Sequence, residues 1–552
     1  MMHRVLIIAA LTASVATAAA APASVLERTA HDRGPVVATE YGPVRGYGVE
    51  GMHAFLGIPY ATPPVGRRRW QPPLPPASWT GVRNAWTFAN HCAQNADGAF
   101  GQGSLSEDCL YLNVFTPKDA AGGSNLPVMV WIHGGGLTNG ESDDYDPNRL
   151  VPHGVVVVTI NYRLGLFGFF AQKGIDAEGH PVMNYGLMDQ QQALAWVHQN
   201  IAAFGGDPAR VTIFGESAGG LSVLSHLASP LSAGLFSGAI AESGGYQTVL
   251  PTLKTAEHSG DAIAATLGCT SQKPSCLRSK SVESILKLTP SENVPATDGQ
   301  VLPVSPKTAF RTGAFNRVPV IDGTNHDEFR LFTAGEFDLG PNGPLTRREY
   351  PGVIALLFGS LAPKILAQYP LAAYPSPDLA FSALMTDWVF SCQTHEANGL
   401  LAKYTPTYSY EFADERAPEI FLPPVSFRYG SAHASELQFL WDEFAHPRPD
   451  QLSGAERTLA GDMTGYWTQF AATGDPNGGT NPHWPVFAAT ADDVEGLVTP
   501  APAPFRTFAK DHQCGFWRAF PPPDIACILA GNCKPGKAYV GDDGLEPPTV
   551  TV

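Results

Sequence analysis

Short apolar runs alternate with longer amphipathic stretches along most of the chain. Val128-Met129-Val130-Trp131-Ile132 is an uninterrupted apolar run and residues 155–160 are apolar but for Thr159; both are too short for helices, which predicts strands buried on both faces. From 188 to 204 the apolar positions instead recur at three- and four-residue steps, through Leu194, Val197 and Ile201, which predicts a helix. Gly205-Gly206-Asp207-Pro208 ends that helix, and residues 211–214 open the next strand. A helix over 221–227 follows, then strands at 238–241, 319–321 and 408–412. A last amphipathic helix at 456–470 turns Leu459, Met463, Tyr466, Trp467 and Phe470 toward a core. This order predicts an α/β fold with a central, mostly parallel twisted sheet flanked by helices. There is neither an internal repeat nor a long linker, so residues 21–552 read as one domain; 521–523 and 541–552 read as a loosely packed terminus.

Composition narrows the possibilities. With 552 residues, 44% of them hydrophobic and 16% charged, the chain can bury a large core. A net charge of −16 opposes binding to a nucleic-acid backbone, which needs clustered Lys and Arg. The first twenty or so residues form a signal-peptide pattern: a basic start, an apolar run over 5–13, then small residues with A-x-A options near 18–21. That run is too short to span a bilayer, and no later uninterrupted apolar run reaches about 18 residues. The expectation is an exported, secreted or periplasmic protein with no integral membrane segment. Eight cysteines, an even number without C-x-x-C zinc spacing, fit structural disulfides in that compartment, although their pairing does not follow from counting. The chain has no N-x-S/T sequon.

Candidate chemistry begins at Gly215-Glu216-Ser217-Ala218-Gly219. This is a G-x-S-x-G pattern between a β-branched run ending at Phe214 and a helix-compatible run, the strand–turn–helix setting of an α/β-hydrolase nucleophile. The turn would project the Ser217 hydroxyl and aim the Ala218 amide and a helix N-terminus at developing negative charge. Upstream, His133-Gly134-Gly135-Gly136 follows a strand, so the Gly135 and Gly136 amides can approach an oxyanion with no Cβ in the way. A G-x-x-x-x-G-K-[ST] phosphate loop is absent from the sequence.

Further segments identify the chain as resembling the type-B carboxylesterases, the family that includes cholinesterases and the non-catalytic neuroligins. They are residues 55–61 (FLGIPYA), 106–114 (SEDCLYLNV), Asn161-Tyr162-Arg163, 204–208 (FGGDP) and 215–220, so the resemblance spans nearly the whole mature chain. It implies a Ser-Glu-His triad: Ser217, Glu328 within Asn325-His326-Asp327-Glu328, and His433 at the head of residues 433–439. Asp322 or Asp327 remain alternatives for the acid. In the implied mechanism His433 is the general base, Glu328 orients it, and the Gly135, Gly136 and Ala218 amides hold the oxyanion; no metal or organic cofactor is required. Ser243 would support the site from behind and Glu216 would line it. The resemblance also suggests disulfides Cys92–Cys109, Cys269–Cys276 and Cys392–Cys514, which leaves Cys527 with Cys533.

The stretch between Cys92 and Cys109 departs from cholinesterases. It is shorter and has no Trp before Ser106, so the aromatic platform for choline is missing there. The expected partner is a small-molecule carboxylic ester with an apolar acyl group. A narrower lipid, aryl or mycotoxin ester is the closest competing reading, and a neuroligin-like binding module the competing reading of another class. The acyl and alcohol pockets, built from loops such as 331–351, and the oligomeric state are not encoded in these motifs.

Overall fold

The computed structural model describes residues 33–524 and Ile528, except 50, 97–100, 290–292 and 443–450. The segment expected to be a signal peptide, the tail 541–552, Cys527 and Cys533 lie outside the described residues. One large sheet organises the molecule. Its strands are β1 (Arg33–Ala38), β2 (Pro43–Val49), β3 (Met52–Pro59), β4 (Tyr111–Pro117), β5 (Leu126–Ile132) and β6 (Val156–Ile160) in the first half of the chain. β7 (Gly206–Glu216), β8 (Gly238–Glu242), β9 (Val320–Asn325), β10 (Thr407–Phe412), β11 (Val494–Leu497) and β12 (Ala503–Phe505) complete it. The order across the sheet is β1-β2-β3-β4-β6-β5-β7-β8-β9-β10-β11-β12, and the short strand Arg83–Asn84 adds to β2. From β6 to β11 every neighbouring pair is parallel, while β1 to β4 and β12 are antiparallel.

All the parallel strands but β11, which the sequence reading missed, are ones the sequence pattern predicts. All five residues of β6 and of β8, and all six of β9 and β10, are buried, as expected where helices cover both faces. The flanking helices include α1 (Tyr185–Asn200), α2 (Ala218–Ala228), α3 (Phe329–Thr333), α4 (Cys392–Leu401) and α5 (Gly454–Thr473). α5 begins with a capping box, in which the Ser453 hydroxyl accepts from the Glu456 amide and the Glu456 carboxylate accepts from the Ser453 amide. The helix expected over 188–204 starts at Tyr185 and tightens into a 3₁₀ turn, Ile201–Phe204, before Gly205.

Two ion pairs, one buried and one partly buried, explain segments that stand out in the sequence. Arg163 grips Asp189 with two parallel bonds of 2.7 Å, and Arg69 bonds Glu107 at 2.6 Å through Nε. Among the described residues there are three disulfides, Cys92–Cys109, Cys269–Cys276 and Cys392–Cys514. The stretch 521–523 departs from expectation: Pro522 and Pro523 are buried, and the Pro521 carbonyl accepts from the Trp388 indole at 3.1 Å. Aromatic packing by Trp388, Trp517 and Phe520 holds this proline run against the body, so its composition misleads. Among the described residues one helical stretch, Tyr350–Ala373, is long and apolar enough by length and composition to cross a membrane, with a mean hydropathy of 1.5. It breaks at Gly359, whose φ is +54°, and 39% of its most apolar window is buried inside the protein.

Candidate active site

The turn between β7 and α2 sets Ser217 at φ 56° and ψ −120°, a region that L-residues rarely occupy. Two backbone bonds over-determine it: the Ser217 amide donates to Glu242 O at 2.8 Å, and its carbonyl accepts from the Leu221 amide at 2.8 Å. Close packing of α2 on β5 explains the glycine that follows, since a Cβ on Gly219 would lie 1.9 Å from Ile132 O. Ser217 is partly exposed, whereas His433 and Glu328 are buried.

The glycine loop runs directly past this turn. A Cβ on Gly134 would sit 3.3 Å from the Cβ of Ser217, so the loop backbone forms one wall at the hydroxyl. Gly135 and Gly136 both have positive φ, 91° and 60°. The Gly136 carbonyl is tied down by the Asn293 amide at 2.8 Å. His133 stiffens the loop's entry. Its ring stacks on Tyr162 at 4.4 Å, its Nδ1 lies 2.9 Å from Gly134 O, and Tyr162 donates to His133 O at 2.7 Å. Burial pushes the His133 imidazole down to about 4, so it is neutral at pH 7. Ala218 is the first residue of α2, where the helix offers its amide no internal acceptor.

Glu328 follows the end of β9 and leads into α3. Its Oε1 accepts from Ser243 Oγ (2.5 Å), Thr324 Oγ1 (2.7 Å) and the Asn325 amide (2.8 Å). Its Oε2 lies 2.6 Å from His433 Nδ1. The alternatives for the acid face elsewhere. Asp327 pairs with Arg330 at 2.8 Å and His326 at 3.0 Å, and the Asp322 carboxyl is buried without a hydrogen-bond partner among the described residues. Ser243, set just past the end of β8 with a φ of 51°, is thus part of the Glu328 cradle.

The His433 ring packs against Phe332 and Phe390, with centroids at 5.0 and 5.2 Å. Its Nε2 is 3.1 Å from Glu216 Oε1, a close contact that is not an aligned hydrogen bond. Burial, with the nearby charges of Glu328 and Glu242, pushes the Glu216 carboxyl well above the usual range and favours its neutral form. Behind the turn, burial also lifts Glu242 to about 8, and Trp467 Nε1 donates to it at 2.8 Å.

Ser217, the Gly135–Gly136 loop, Glu328 and His433 are therefore gathered at the ends of β5, β7 and β9 and on the loop carrying His433. The sequence reading missed Thr324, Phe332 and Phe390. Thr324 precedes the Asn325–Glu328 segment and was findable by proximity; the two phenylalanines reach His433 from 101 and 43 positions away, with no local signal.

Comparison with known proteins identifies the family. The sequence profile of the carboxylesterase family matches residues 33–517. An acylcarnitine hydrolase of Mus musculus is 37% identical over 517 residues, covering 88% of this chain and 90% of that protein. A cocaine esterase of Homo sapiens is 37% identical over 532 residues, covering 89% of this chain and 92% of that protein. Among solved structures, a PNB esterase superposes with a TM-score of 0.73 at 33% identity, covering 87% of this chain and 99% of that one. The chain belongs to the carboxylesterase family and is a carboxylic-ester hydrolase.

Proposed function

We propose that this protein is an exported serine carboxylesterase of one catalytic domain, working through Ser217, His433 and Glu328 and an acyl-enzyme intermediate. The observation that carries the reading is the 2.6 Å bond from His433 Nδ1 to Glu328 Oε2, buried beside the strained turn that presents Ser217. Glu328 fixes the imidazole with its proton on Nδ1, so Nε2 is the basic nitrogen facing the nucleophile's turn. Nε2 takes the Ser217 proton as Oγ attacks the ester carbonyl, and the imidazolium is stabilised by the carboxylate. Amides of Gly135, Gly136 and Ala218 donate to the oxyanion. Collapse of the tetrahedral intermediate expels the alcohol, which takes the proton from Nε2. Water, deprotonated by the same nitrogen, then releases the acid and restores Ser217. The contact between Nε2 and Glu216 is that of the substrate-free state, and bonds to the nucleophile commonly align only once substrate is bound.

Phe332 and Phe390 against the base support an apolar ester, and the three disulfides with the N-terminal leader pattern support export. Hydrolysis of a p-nitrophenyl ester series tests the mechanism. Ser217→Ala is expected to lose at least roughly 10³-fold in kcat, as when a covalent nucleophile is removed. A fluorophosphonate should add its mass to Ser217 alone. Equal turnover by the two proteins, or an adduct on another residue, overturns the assignment.

A further inference from the structure

A second constellation lies on the far side of the Asn325–Glu328 segment from His433. His326, Glu411 on β10, and His512 just before Cys514 bring one ligand atom each to within 4.8 Å of one another. His512 is buried, with its Nδ1 2.6 Å from Asp387 Oδ1 and its Nε2 2.6 Å from Glu411 Oε1. His326 shows its Nδ1 to Asp327 Oδ1 at 3.0 Å, and its side chain is 44% exposed. Each imidazole therefore has its Nδ1 engaged by a carboxylate outside the trio, which leaves Nε2 to serve as the inward ligand. That is the arrangement in which a carboxylate fixes the tautomer and raises the basicity of a metal-binding histidine. Asp387 is itself anchored, because Tyr369 donates to its other oxygen at 2.7 Å.

We propose that His326, His512 and Glu411 form a binding site for a divalent transition ion of the zinc class, separate from the Ser217 centre. Two imidazoles and one carboxylate are a borderline donor set that suits Zn²⁺ over Mg²⁺ or Ca²⁺. Ligand bonds of about 2.0–2.2 Å place tetrahedral ligand atoms about 3.3 Å apart. The His512–Glu411 contact must open slightly and His326, the exposed member, must close in. The cation displaces the proton shared by His512 Nε2 and Glu411, and that proton leaves to solvent. The exposed edge at His326 provides entry, and solvent water completes the coordination. The charges also match, since Glu411 and Asp387 together offset a dication while Asp327 is paired with Arg330.

The site joins distant parts of the chain: the residue two before Glu328, the strand position in register with Thr324, and the C-terminal segment beside the Cys392–Cys514 bridge. Occupancy should therefore raise thermal stability. The test is titration of the full chain, stripped with chelator, with Zn²⁺ by calorimetry and with Co²⁺ by visible absorption. One saturable equivalent with a rise in Tm is expected, and Ser217→Ala should bind alike. His326→Ala, a change at an exposed side chain, should weaken binding at least tenfold and abolish the Co²⁺ band; Glu411→Gln should do the same while keeping the side chain's shape. No saturable equivalent in the unmodified protein, or binding that His326→Ala leaves unchanged, overturns the proposal, the latter assigning the metal to other histidines.

Discussion

Glu328 collects four hydrogen bonds from four different residues: two on β9, one just past the end of β8 and one from the His433 imidazole. Such convergence makes the residue intolerant of even a one-atom change. Glu328→Gln offers His433 Nδ1 an amide in place of a carboxylate and favours the wrong tautomer, so kcat should fall roughly 10³–10⁴-fold, as when the acid of a serine triad is neutralised. Asp327→Asn leaves that cradle untouched and should keep most of the turnover; the two kcat values measured side by side decide between neighbours that sequence alone could not separate. At this scale the legible residues were those embedded in short motifs. Ser217 sits in a turn whose spacing has a chemical reason, whereas Glu328 and His433 were reached only through the family resemblance. Phe332 and Phe390 were reached by neither, because a ring stacked on a distant imidazole leaves no trace in local composition.

At the scale of elements, strands buried on both faces were plain in the sequence, and their ends were less so. β7 extends back to Gly206 because Gly206 pairs with Leu126, a long-range contact that local propensity does not encode. Glycines show the same division between local and tertiary causes. Gly219→Ala drives a methyl group into the Ile132 carbonyl and should cost more than the ~1–3 kcal/mol typical of overpacking, since the obstacle is backbone. Gly461→Ala, on the open face of α5 where an added Cβ meets nothing, should instead stabilise by about 0.5–1 kcal/mol. Chemical denaturation of the two variants should thus give shifts of opposite sign. A third expectation concerns β8, packed beneath the nucleophile turn. Burial raises the Glu242 pKa from 4.5 to about 8, so the folded protein keeps a proton that the unfolded chain releases. This side chain therefore makes the fold progressively less stable as pH rises from about 4.5 to about 8, and no further above that. Glu242→Gln keeps an acceptor for Trp467 and has no such proton to lose. Its Tm relative to wild type should climb between pH 5 and pH 8 and then level off.

Across the whole molecule, covalent links and topology matter more than any single contact. Cys392 and Cys514 are 122 residues apart, against 7 for Cys269 and Cys276. In the chain-entropy account, closing the longer loop is worth about 5 kcal/mol and the shorter about 2. Replacing Cys392 and Cys514 by Ser should accordingly lower the denaturant midpoint well beyond the effect of the same change at Cys269 and Cys276. Eight cysteines allow 105 pairings, so this hierarchy became readable only when the family resemblance, and then the fold, chose among them. The Cys392–Cys514 bridge also determines how the protein fails. His433 lies inside the covalent ring it closes, while Ser217 and Glu328 lie outside. A protease that cuts once between 393 and 432 therefore leaves a single molecule with His433 still moored to Glu328 through the bridge. Such a nicked protein should migrate intact on a non-reducing gel, split in two on a reducing one, and keep His433 until the bridge is reduced.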